Sequence, residues 1–506
     1  MRRRIWLTVV VVMAVMGVVA RVWLMRTGQA QMNSDEAYTG LQAFAILRGD
    51  LPVVIRGAFY TATLDCYLLA PLVKLFGGHV LTLRLYVLVW WALAGVMTWR
   101  LALSMVSRRW AAAAGLMVWV APGALMLVAI RGYVAYSSGL FVVVAAAWAC
   151  TRVVGRLTWR TAAAAGALVG LAFYMHPMFA TAALPMFLVP CWLHRRAWRT
   201  WWVPAVAAAI AVNLPFIAWN AANGFPSLDQ PIAAEETKID RLSRFFTGPE
   251  TSGTELTTER LSRFFTGLLP RAFGLRNSDG SWVYGSLARL VYVLVLVLIA
   301  WGVVVLVRKG AAGMVVALPA VLVWPLLALF NNMGYVLDGR YAIVGFPFLV
   351  LCLVAGVADV AARVGRVDTG WVVGAMAAWV ALLLAPWIAH NASDSVPDPN
   401  WQTQAIINEL DSAGFRTARG DYWLTLPVEY MSDRRIVTGL DGYSWPVVIR
   451  FPDTQNEVQA APPWSVAFVF EIGDEHPEAL PLPVEDYERR EVGAAALYLP
   501  MSDGGE

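Results

Sequence analysis

The chain has 506 residues, of which 59% are hydrophobic and only 15% are charged, and its mean hydropathy is +0.58. A soluble protein of this length cannot bury so much apolar surface in one core, so the composition excludes an ordinary soluble fold. The formal net charge of +4 is too small to indicate a nucleic-acid-binding protein.

Long apolar segments with few charges recur along the chain, at lengths that suit helices crossing a bilayer. Helices are the expected form, because the membrane offers the backbone no water to bond with. We therefore predict an all-α polytopic membrane protein with about eleven transmembrane helices. The predicted segments are residues 5–20, 85–99, 110–130, 133–150, 161–175, 177–193, 201–218, 286–307, 311–330, 341–361 and 370–389.

The N-terminal segment has a basic start and an apolar run, and two interpretations fit it. A signal peptide cleaved near Gln29–Ala30 is the first. The apolar run is long and no clear small-residue cleavage motif follows, so we favour the second, an uncleaved anchor helix.

Arginine clusters occupy every second connection between the predicted helices. Cytoplasmic connections carry such an excess of basic residues, so the N-terminus is expected in the cytoplasm. After an odd number of spans, the C-terminal region is expected outside the cytoplasmic membrane. The clusters are Arg2–Arg4, Arg108/Arg109, Arg152/Arg156/Arg160, Arg195/Arg196/Arg199, Arg308/Lys309 and Arg363/Arg366.

The predicted first outer loop, residues 26–80, contains the acidic pair Asp35–Glu36. Asn33-x-x-Glu36 fits a capping box, and acids near a helix N-terminus are favoured by the helix dipole. Capping explains Glu36 but leaves Asp35 free. A carboxylate held ionised at the membrane surface suits a general base, so both roles stay open for the pair.

The residues after this pair carry an apolar face at helical spacing, formed by Ala37, Leu41, Phe44 and Ala45. The spacing predicts a helix that lies along the membrane surface with its apolar side down. Residues 49–52, Gly-Asp-Leu-Pro, end it, because proline disfavours helix in the residue before it.

The predicted large outer loop, residues 220–284, contains the sequence RLSRFFTG twice, at 241–248 and 260–267. Two copies are too few for a repeat fold, so a local duplication is favoured. Its arginines and phenylalanines suit a segment at headgroup depth.

The composition turns polar near residue 390, which divides the chain into a membrane part, residues 1–390, and a small extracytoplasmic α/β domain, residues 391–506. The latter has about 110 residues, a usual domain size. We predict a helix near Trp401–Ala413 and strands near Phe415–Ala418, Arg435–Thr438, Ser465–Phe470 and Ala495–Leu499.

Several short motifs occur in this chain in the same order as in the sequences of one enzyme superfamily. They are Asp35–Glu36, Gly49–Asp50, Phe59–Tyr60, Leu75–Gly77 and Arg84–Leu85, followed by LPFIAWN at 214–220, FFTGLLPRAFGL at 264–275 and DGRYAIVGFPFLVL at 338–351. In this order the chain resembles bacterial GT-C glycosyltransferases of the family 39 type, a group that includes protein O-mannosyltransferases and aminoarabinose transferases.

The resemblance implies transfer of a sugar from a polyprenyl-phosphate-linked donor to an acceptor hydroxyl outside the membrane, with inversion at the anomeric carbon. It implies Asp35 as the general base, with Glu36 orienting or capping. The implied partners are the lipid-linked donor, membrane lipids and an envelope lipid, glycan or protein as acceptor.

A lipid-phosphate donor also needs cations that stabilise the departing phosphate. Arg340 is the first candidate because it matches the family; for Arg131 and His176, anchoring at headgroup depth is an equal alternative. The candidate residues for binding substrate or phosphate are Arg340, Arg131, His176, Tyr60, Asp65, Lys74 and Arg84.

Two features of the first outer loop limit what the resemblance implies. Aminoarabinose transferases carry a Lys-Pro pair where this chain has Thr63–Leu64, so that branch's specificity is not carried over. Asp35, Glu36 and Asp65 offer oxygen ligands for a divalent ion, but no spacing brings them together, so metal dependence is left open.

Two other classes of function remain as alternatives. A transporter or flippase would place polar groups inside the spans, whereas the predicted spans are almost free of acids. A degenerate relative that only scaffolds envelope assembly would have no need of both Asp35 and Arg340.

Overall fold

A computed structural model describes residues 2–228, 261–330, 339–365, 369–391, 396–443 and 449–501. The helices of the membrane part are α1 (Arg2–Leu24), α2 (Ser34–Leu47), α3 (Leu64–Phe76), α4 (Val80–Ala102), α5 (Arg108–Val120), α6 (Ala124–Val128), α7 (Tyr136–Gly155), α8 (Trp159–Met175), α9 (Ala180–Leu193), α10 (Val203–Ala222), α11 (Leu269–Ala272), α12 (Ser286–Arg308), α13 (Ala311–Phe330), α14 (Phe346–Val364), α15 (Thr369–Ala378) and α16 (Ala385–Asn391).

Seven helices within the described ranges are long and apolar enough to cross a membrane. They are Arg4–Leu24, Val80–Ala102, Tyr136–Gly155, Trp198–Ala222, Ser286–Arg308, Phe346–Val364 and Thr369–Asn391. The other predicted spans are also helical but fall outside that set, as with α8 and α9. The prediction of a polytopic, largely helical membrane protein is confirmed.

The predicted span 110–130 is interrupted in the structure. Helix α5 ends at Val120, and the short helix α6 begins only at Ala124. Pro122 lies between them, and a proline removes a backbone donor and disfavours helix in the residue before it. Ala121 has a positive φ of 30°, which L residues rarely adopt, so the backbone is strained at the break. This break turns the chain just before Arg131.

Contacts between the connecting segments show which helix termini lie at the same end of the bundle. Arg109 donates to the hydroxyl of Thr369, and Lys309 donates to the carbonyl of Met105, so these basic ends lie together. At the other end, the Asn33 amide donates to the Tyr133 hydroxyl across 2.9 Å. The clusters Arg108/Arg109 and Arg308/Lys309 therefore lie at the end of the bundle opposite the acidic pair.

The strands begin with a hairpin in residues 26–80, formed by β1 (Val54–Ile55) and β2 (Ala58–Ala62). The C-terminal α/β region contains helix α17 (Trp401–Ser412), strand β3 (Thr417–Gly420), helix α18 (Tyr422–Met431), strand β4 (Val437–Leu440), helix α19 (Pro452–Ala460) and strands β5 (Val466–Glu471), β6 (Tyr487–Val492) and β7 (Ala495–Pro500). The strands of this region form one mixed sheet of five, in the order β4-β3-β5-β7-β6. Strand β3 pairs parallel to β4 and β5, while β7 pairs antiparallel to β5 and β6.

The predicted helix and four strands of this region are confirmed to within a few residues. Helices α18 and α19 and the edge strand β6 were not predicted from the sequence. Strand β6 reads YERREV, and its charged side chains hide the apolar alternation that indicates a strand. Charges on an edge strand also discourage pairing with other chains.

Helix α2 was expected to rest on the membrane surface, but it is covered by protein. It packs in one apolar cluster with α3 and α18, which includes Leu41, Leu69 and Tyr430. Gly40 permits the approach, because a Cβ there would overlap the Tyr430 ring. The Gly78 amide also donates to Asp433 across 2.5 Å, so α18 is fixed against the first outer loop.

The RLSRFFTG copies fall partly outside the described residues. The first copy, residues 241–248, lies wholly outside them. In the second, Phe264 is buried and stacks on Trp324 with ring centroids 4.1 Å apart, while Phe265 is exposed. The second copy thus packs one ring inward against α13, and its interfacial role stays a prediction.

The side of the membrane on which the C-terminal region lies is testable by cysteine labelling. The Asp453 side chain is 92% exposed, so a membrane-impermeant maleimide should label Asp453→Cys in intact cells. Gly155→Cys is the matched control, since Gly155 has open space around it and belongs to the predicted cytoplasmic face. It should react only after permeabilisation; the reverse pattern would contradict the predicted orientation.

Candidate functional site

Helix α2 begins with a capped turn that fixes the acidic pair. The side-chain oxygen of Asn33 accepts the backbone N–H of Glu36 at 3.1 Å, so the predicted N-cap is present. The reciprocal half of the capping box is absent among the described contacts. Glu36 instead turns inward, where its Oε1 accepts the Gly132 N–H at 2.7 Å.

Glu36 is fully buried and lies within electrostatic reach of Arg84. Arg84 is also buried, and its guanidinium donates to the carbonyl of Ala30. A buried carboxylate needs such an opposite charge and hydrogen-bond donors to remain stable. Glu36 and Arg84 therefore lie in the protein interior, where Glu36 links the start of α2 to Gly132 and Arg84 links α4 to Ala30.

Asp35 points the other way, towards the surface of the site. Its Oδ2 lies 3.3 Å from Nη1 of Arg340, and its Oδ1 lies 3.5 Å from the hydroxyl of Tyr422. The Asp35 side chain is 31% exposed, so the carboxylate remains accessible to a ligand. Its place in the first turn of α2 adds the stabilising field of the helix N-terminus.

Arg340 is positioned by backbone and aromatic contacts. Gly339 before it has a φ of 82°, which an L side chain rarely adopts, and it begins the short 3₁₀ turn Arg340–Val344. The Arg340 guanidinium lies 4.7 Å from the centroid of the Tyr133 ring. A cation over an aromatic face is attracted to it, so Tyr133 helps to orient the group that pairs with Asp35.

The Tyr133 hydroxyl links the two predicted phosphate-binding arginines. It accepts a hydrogen bond from Nη1 of Arg131 at 2.7 Å, while its ring faces Arg340. Arg131 also donates to the carbonyl of Gln29 at 3.0 Å. Arg340 therefore lies beside the Asp35 carboxylate and Arg131 at the hydroxyl of Tyr133, and the phosphate-binding role of both arginines stays a prediction.

An aromatic wall connects these groups to His176. The His176 ring lies 5.2 Å from the Tyr60 ring and 6.1 Å from the Tyr136 ring. Its Nδ1 accepts the Met178 N–H at 3.1 Å, and burial lowers the pKa of His176 to about 4. His176 is therefore neutral at pH 7 with its proton on Nε2, and it supplies a hydrogen-bond donor rather than a positive charge.

Asp65 has a different environment from Asp35. Its Oδ2 accepts the Ala135 N–H at 2.5 Å and the Ser138 hydroxyl at 2.8 Å, and its Oδ1 accepts the Tyr86 hydroxyl at 2.8 Å. Burial raises the pKa of Asp65, while these three donors oppose the rise. Asp65, which belongs to α3, thus caps the N-terminus of α7. The N-cap residue Ala135 has no polar side chain that could do so.

Lys74 is exposed in the last turn of α3, and it forms no ion pair among the described residues. No group of three His, Cys, Asp or Glu side chains in the described ranges is arranged to hold a metal ion. Asp35, Glu36 and Asp65 each contact separate partners, so the structure does not bring this set together.

Two site residues come from the C-terminal α/β region, and neither was predicted from the sequence. Tyr422 donates towards Asp35, and burial raises the pKa of Tyr422, so the phenol keeps its proton at neutral pH. Arg450 lies 5.2 Å from the centroid of the Tyr38 ring and donates to the carbonyl of Arg56 at 3.0 Å. No local motif marks either residue.

Neither the protein-family comparison nor the comparison with curated proteins gives a match. Solved structures do match. ArnT from Cupriavidus metallidurans in the apo state is 12% identical with a TM-score of 0.58, covering 98% of both chains. The same protein bound to undecaprenyl phosphate is 15% identical with a TM-score of 0.57, covering 97% of both chains.

A second match is the archaeal oligosaccharyltransferase AglB from Archaeoglobus fulgidus, in complex with an inhibitory peptide and a dolichol-phosphate. It is 12% identical with a TM-score of 0.52, and the match covers 99% of this chain and 75% of the other. Both neighbours belong to the GT-C superfamily, so the chain has the GT-C fold.

The cap formed by Asp65 predicts a stability defect. Asp65→Ala should destabilise the protein by about 3 kcal/mol, because three buried donors lose their acceptor. The midpoint of thermal unfolding in detergent measures this, with the exposed Asp453→Ala as the control. Normal unfolding together with lost activity would instead assign Asp65 to the substrate pocket.

Proposed function

We propose that this protein transfers a sugar from a polyprenyl-phosphate-linked donor to an acceptor hydroxyl on the outer face of the cytoplasmic membrane. The observation that carries the proposal is the pair of Asp35 and Arg340, 3.3 Å apart at one end of a GT-C helix bundle. A carboxylate serves as a base, and a guanidinium stabilises a leaving phosphate.

The solved structures of similar fold support a lipid-phosphate donor. ArnT is described with bound undecaprenyl phosphate, and AglB with a dolichol-phosphate. Both ligands are polyprenyl phosphates, and both proteins share this chain's fold at low identity. The acceptor class proposed here is an envelope lipid, glycan or protein.

The proposed mechanism is a single displacement. Asp35 accepts the proton of the acceptor hydroxyl as that oxygen attacks the anomeric carbon. The bond from this carbon to the phosphate oxygen breaks, and the phosphate leaves with the electron pair. Arg340 pairs with the charge that develops on it. Attack from the side opposite the leaving group inverts the anomeric carbon.

The neighbouring side chains suit the proposed roles of Asp35 as base and Arg340 as phosphate partner. Tyr422 is held protonated beside Asp35, where its hydroxyl orients the carboxylate. The neutral His176 offers Nε2–H to an uncharged sugar hydroxyl, since its Nδ1 is occupied by the Met178 amide. Arg131 donates to the Tyr133 hydroxyl, and its positive charge favours an anionic ligand in the site.

A transporter or flippase remains the alternative, and the positions of charge speak against it. Every charged side chain in the seven candidate spans lies within two turns of a helix end. Transporters instead use polar groups and broken helices near the middle of the membrane. Chemistry at the membrane surface fits this distribution better.

The proposal predicts the effect of removing the base. Asp35→Asn should lower the rate of sugar transfer by about 100-fold or more, because the amide cannot accept the proton. Transfer is measured in membranes with a radiolabelled polyprenyl-phosphate sugar. Asp50→Asn is the matched control, because Asp50 is 32% exposed in the same loop and pairs with Arg56 at 2.8 Å.

Full transfer by Asp35→Asn would remove Asp35 as the base. Mass spectrometry of envelope lipids, glycans and proteins, from cells with and without the gene, tests the activity itself. An unchanged envelope together with no polyprenyl-phosphate binding would reject the proposed function.

A further inference from the structure

Arg450 of the C-terminal α/β region is an arginine whose charge no described carboxylate neutralises by direct contact. Its described contacts are the carbonyl of Arg56, the ring of Tyr38 and the hydroxyl of Tyr422. None of these carries a negative charge at neutral pH. Its Nε is buried and has no hydrogen-bond partner among the described residues.

Arg450 also lies within electrostatic reach of the Asp35 carboxylate, and Tyr422 contacts both groups. Asp35 already forms its direct ion pair with Arg340. Among the described side chains, the two guanidinium groups therefore share one nearby carboxylate, that of Asp35. A partly buried positive charge without a counter-charge is unfavourable, and an anionic ligand removes that cost.

The two arginines reach Asp35 from different parts of the chain. Arg340 precedes the membrane helix α14, whereas Arg450 lies just before α19. Arg450 is held in place by the first outer loop, since both the Arg56 carbonyl and the Tyr38 ring belong to that loop. Guanidinium groups bind phosphate oxygens in pairs and with defined geometry, and two of them suit one phosphate group.

We propose that Arg450 is a second phosphate-binding residue, so that the C-terminal α/β region and the membrane part together clamp the phosphate of a polyprenyl-phosphate ligand between Arg450 and Arg340. This inference rests on the proposed function and deepens it. It means that the site is complete only while α18 is packed on α2. The contacts of Tyr430 with Gly40 and of Asp433 with Gly78 maintain that packing.

Binding of farnesyl phosphate and of farnesol to the purified full-length protein tests this role. The two probes share one lipid chain and differ only in the phosphate. In the native protein the phosphate should strengthen binding. Arg450→Gln should weaken binding of farnesyl phosphate about tenfold or more and leave farnesol unchanged, and Arg450→Lys should restore part of the loss.

Arg416→Gln is the matched control, because Arg416 belongs to the same region and its side chain is 60% exposed. It should leave both affinities unchanged. Equal weakening of both probes by Arg450→Gln would make Arg450 a packing residue and overturn the inference. Unchanged binding of farnesyl phosphate would also overturn it.

Two further outcomes distinguish a polyprenyl-phosphate site from general lipid binding. If phosphatidylglycerol displaces farnesyl phosphate with equal affinity, the cations hold a general lipid headgroup, and the inference is wrong. If the native protein binds farnesyl phosphate no better than farnesol, the proposed function fails together with it. Both the proposed function and the inference are supported if the native protein binds farnesyl phosphate more tightly than farnesol and Arg450→Gln, but not Arg416→Gln, loses that preference.

Discussion

Consecutive residues on an α-helix point about 100° apart, and this constraint divides the Asp35–Glu36 pair. Glu36 is drawn inward by the Gly132 amide and by the charge of Arg84. Once Glu36 is buried, Asp35 must face the surface of the site. The cap provided by Asn33 fixes where the helix starts, and so fixes which of the two acids turns inward. The position of the proposed base therefore depends on a neighbour that contacts no ligand.

The electrostatics of the site follow from what surrounds Asp35. Arg340 pairs with it directly, and Arg131 and Arg450 add positive charge nearby. His176 adds none, because burial keeps it neutral. Among the described side chains around Asp35, cations outnumber carboxylates, and a site of that kind, only partly open to water, favours an anion over a neutral ligand. A phosphate joined to a membrane lipid meets that condition and is held at the membrane surface.

The site is assembled across the whole length of the chain. Asp35 and Tyr422 are 387 residues apart in sequence and contact each other in space. Packing of α18 on α2 makes that contact, with Tyr430 seated over Gly40. Asp65 contributes from a distance, since by capping α7 it fixes the turn that carries Tyr133 and Gly132. The stability of the protein and the geometry of the proposed site thus depend on the same few contacts, those of α18 with α2 and of Asp65 with α7.

The amino-acid sequence was sufficient to predict the membrane class, the helical segments, the end of the bundle that carries the acidic pair, and most strands of the C-terminal region. These features follow from hydropathy, charge and local spacing, which act over a few residues. Asp35 could be selected because capping explains only Glu36, and Arg131 and Arg340 because basic residues at the ends of predicted spans are conspicuous; the family resemblance also indicated Asp35 and Arg340. Only the tertiary structure shows that Glu36 turns inward, that Asp65 caps α7 and that His176 is buried and neutral. It also shows that Tyr422 and Arg450 lie near Asp35. These features depend on burial and on contacts between distant parts of the chain. A short stretch of sequence determines neither the burial of a side chain nor its distant contacts.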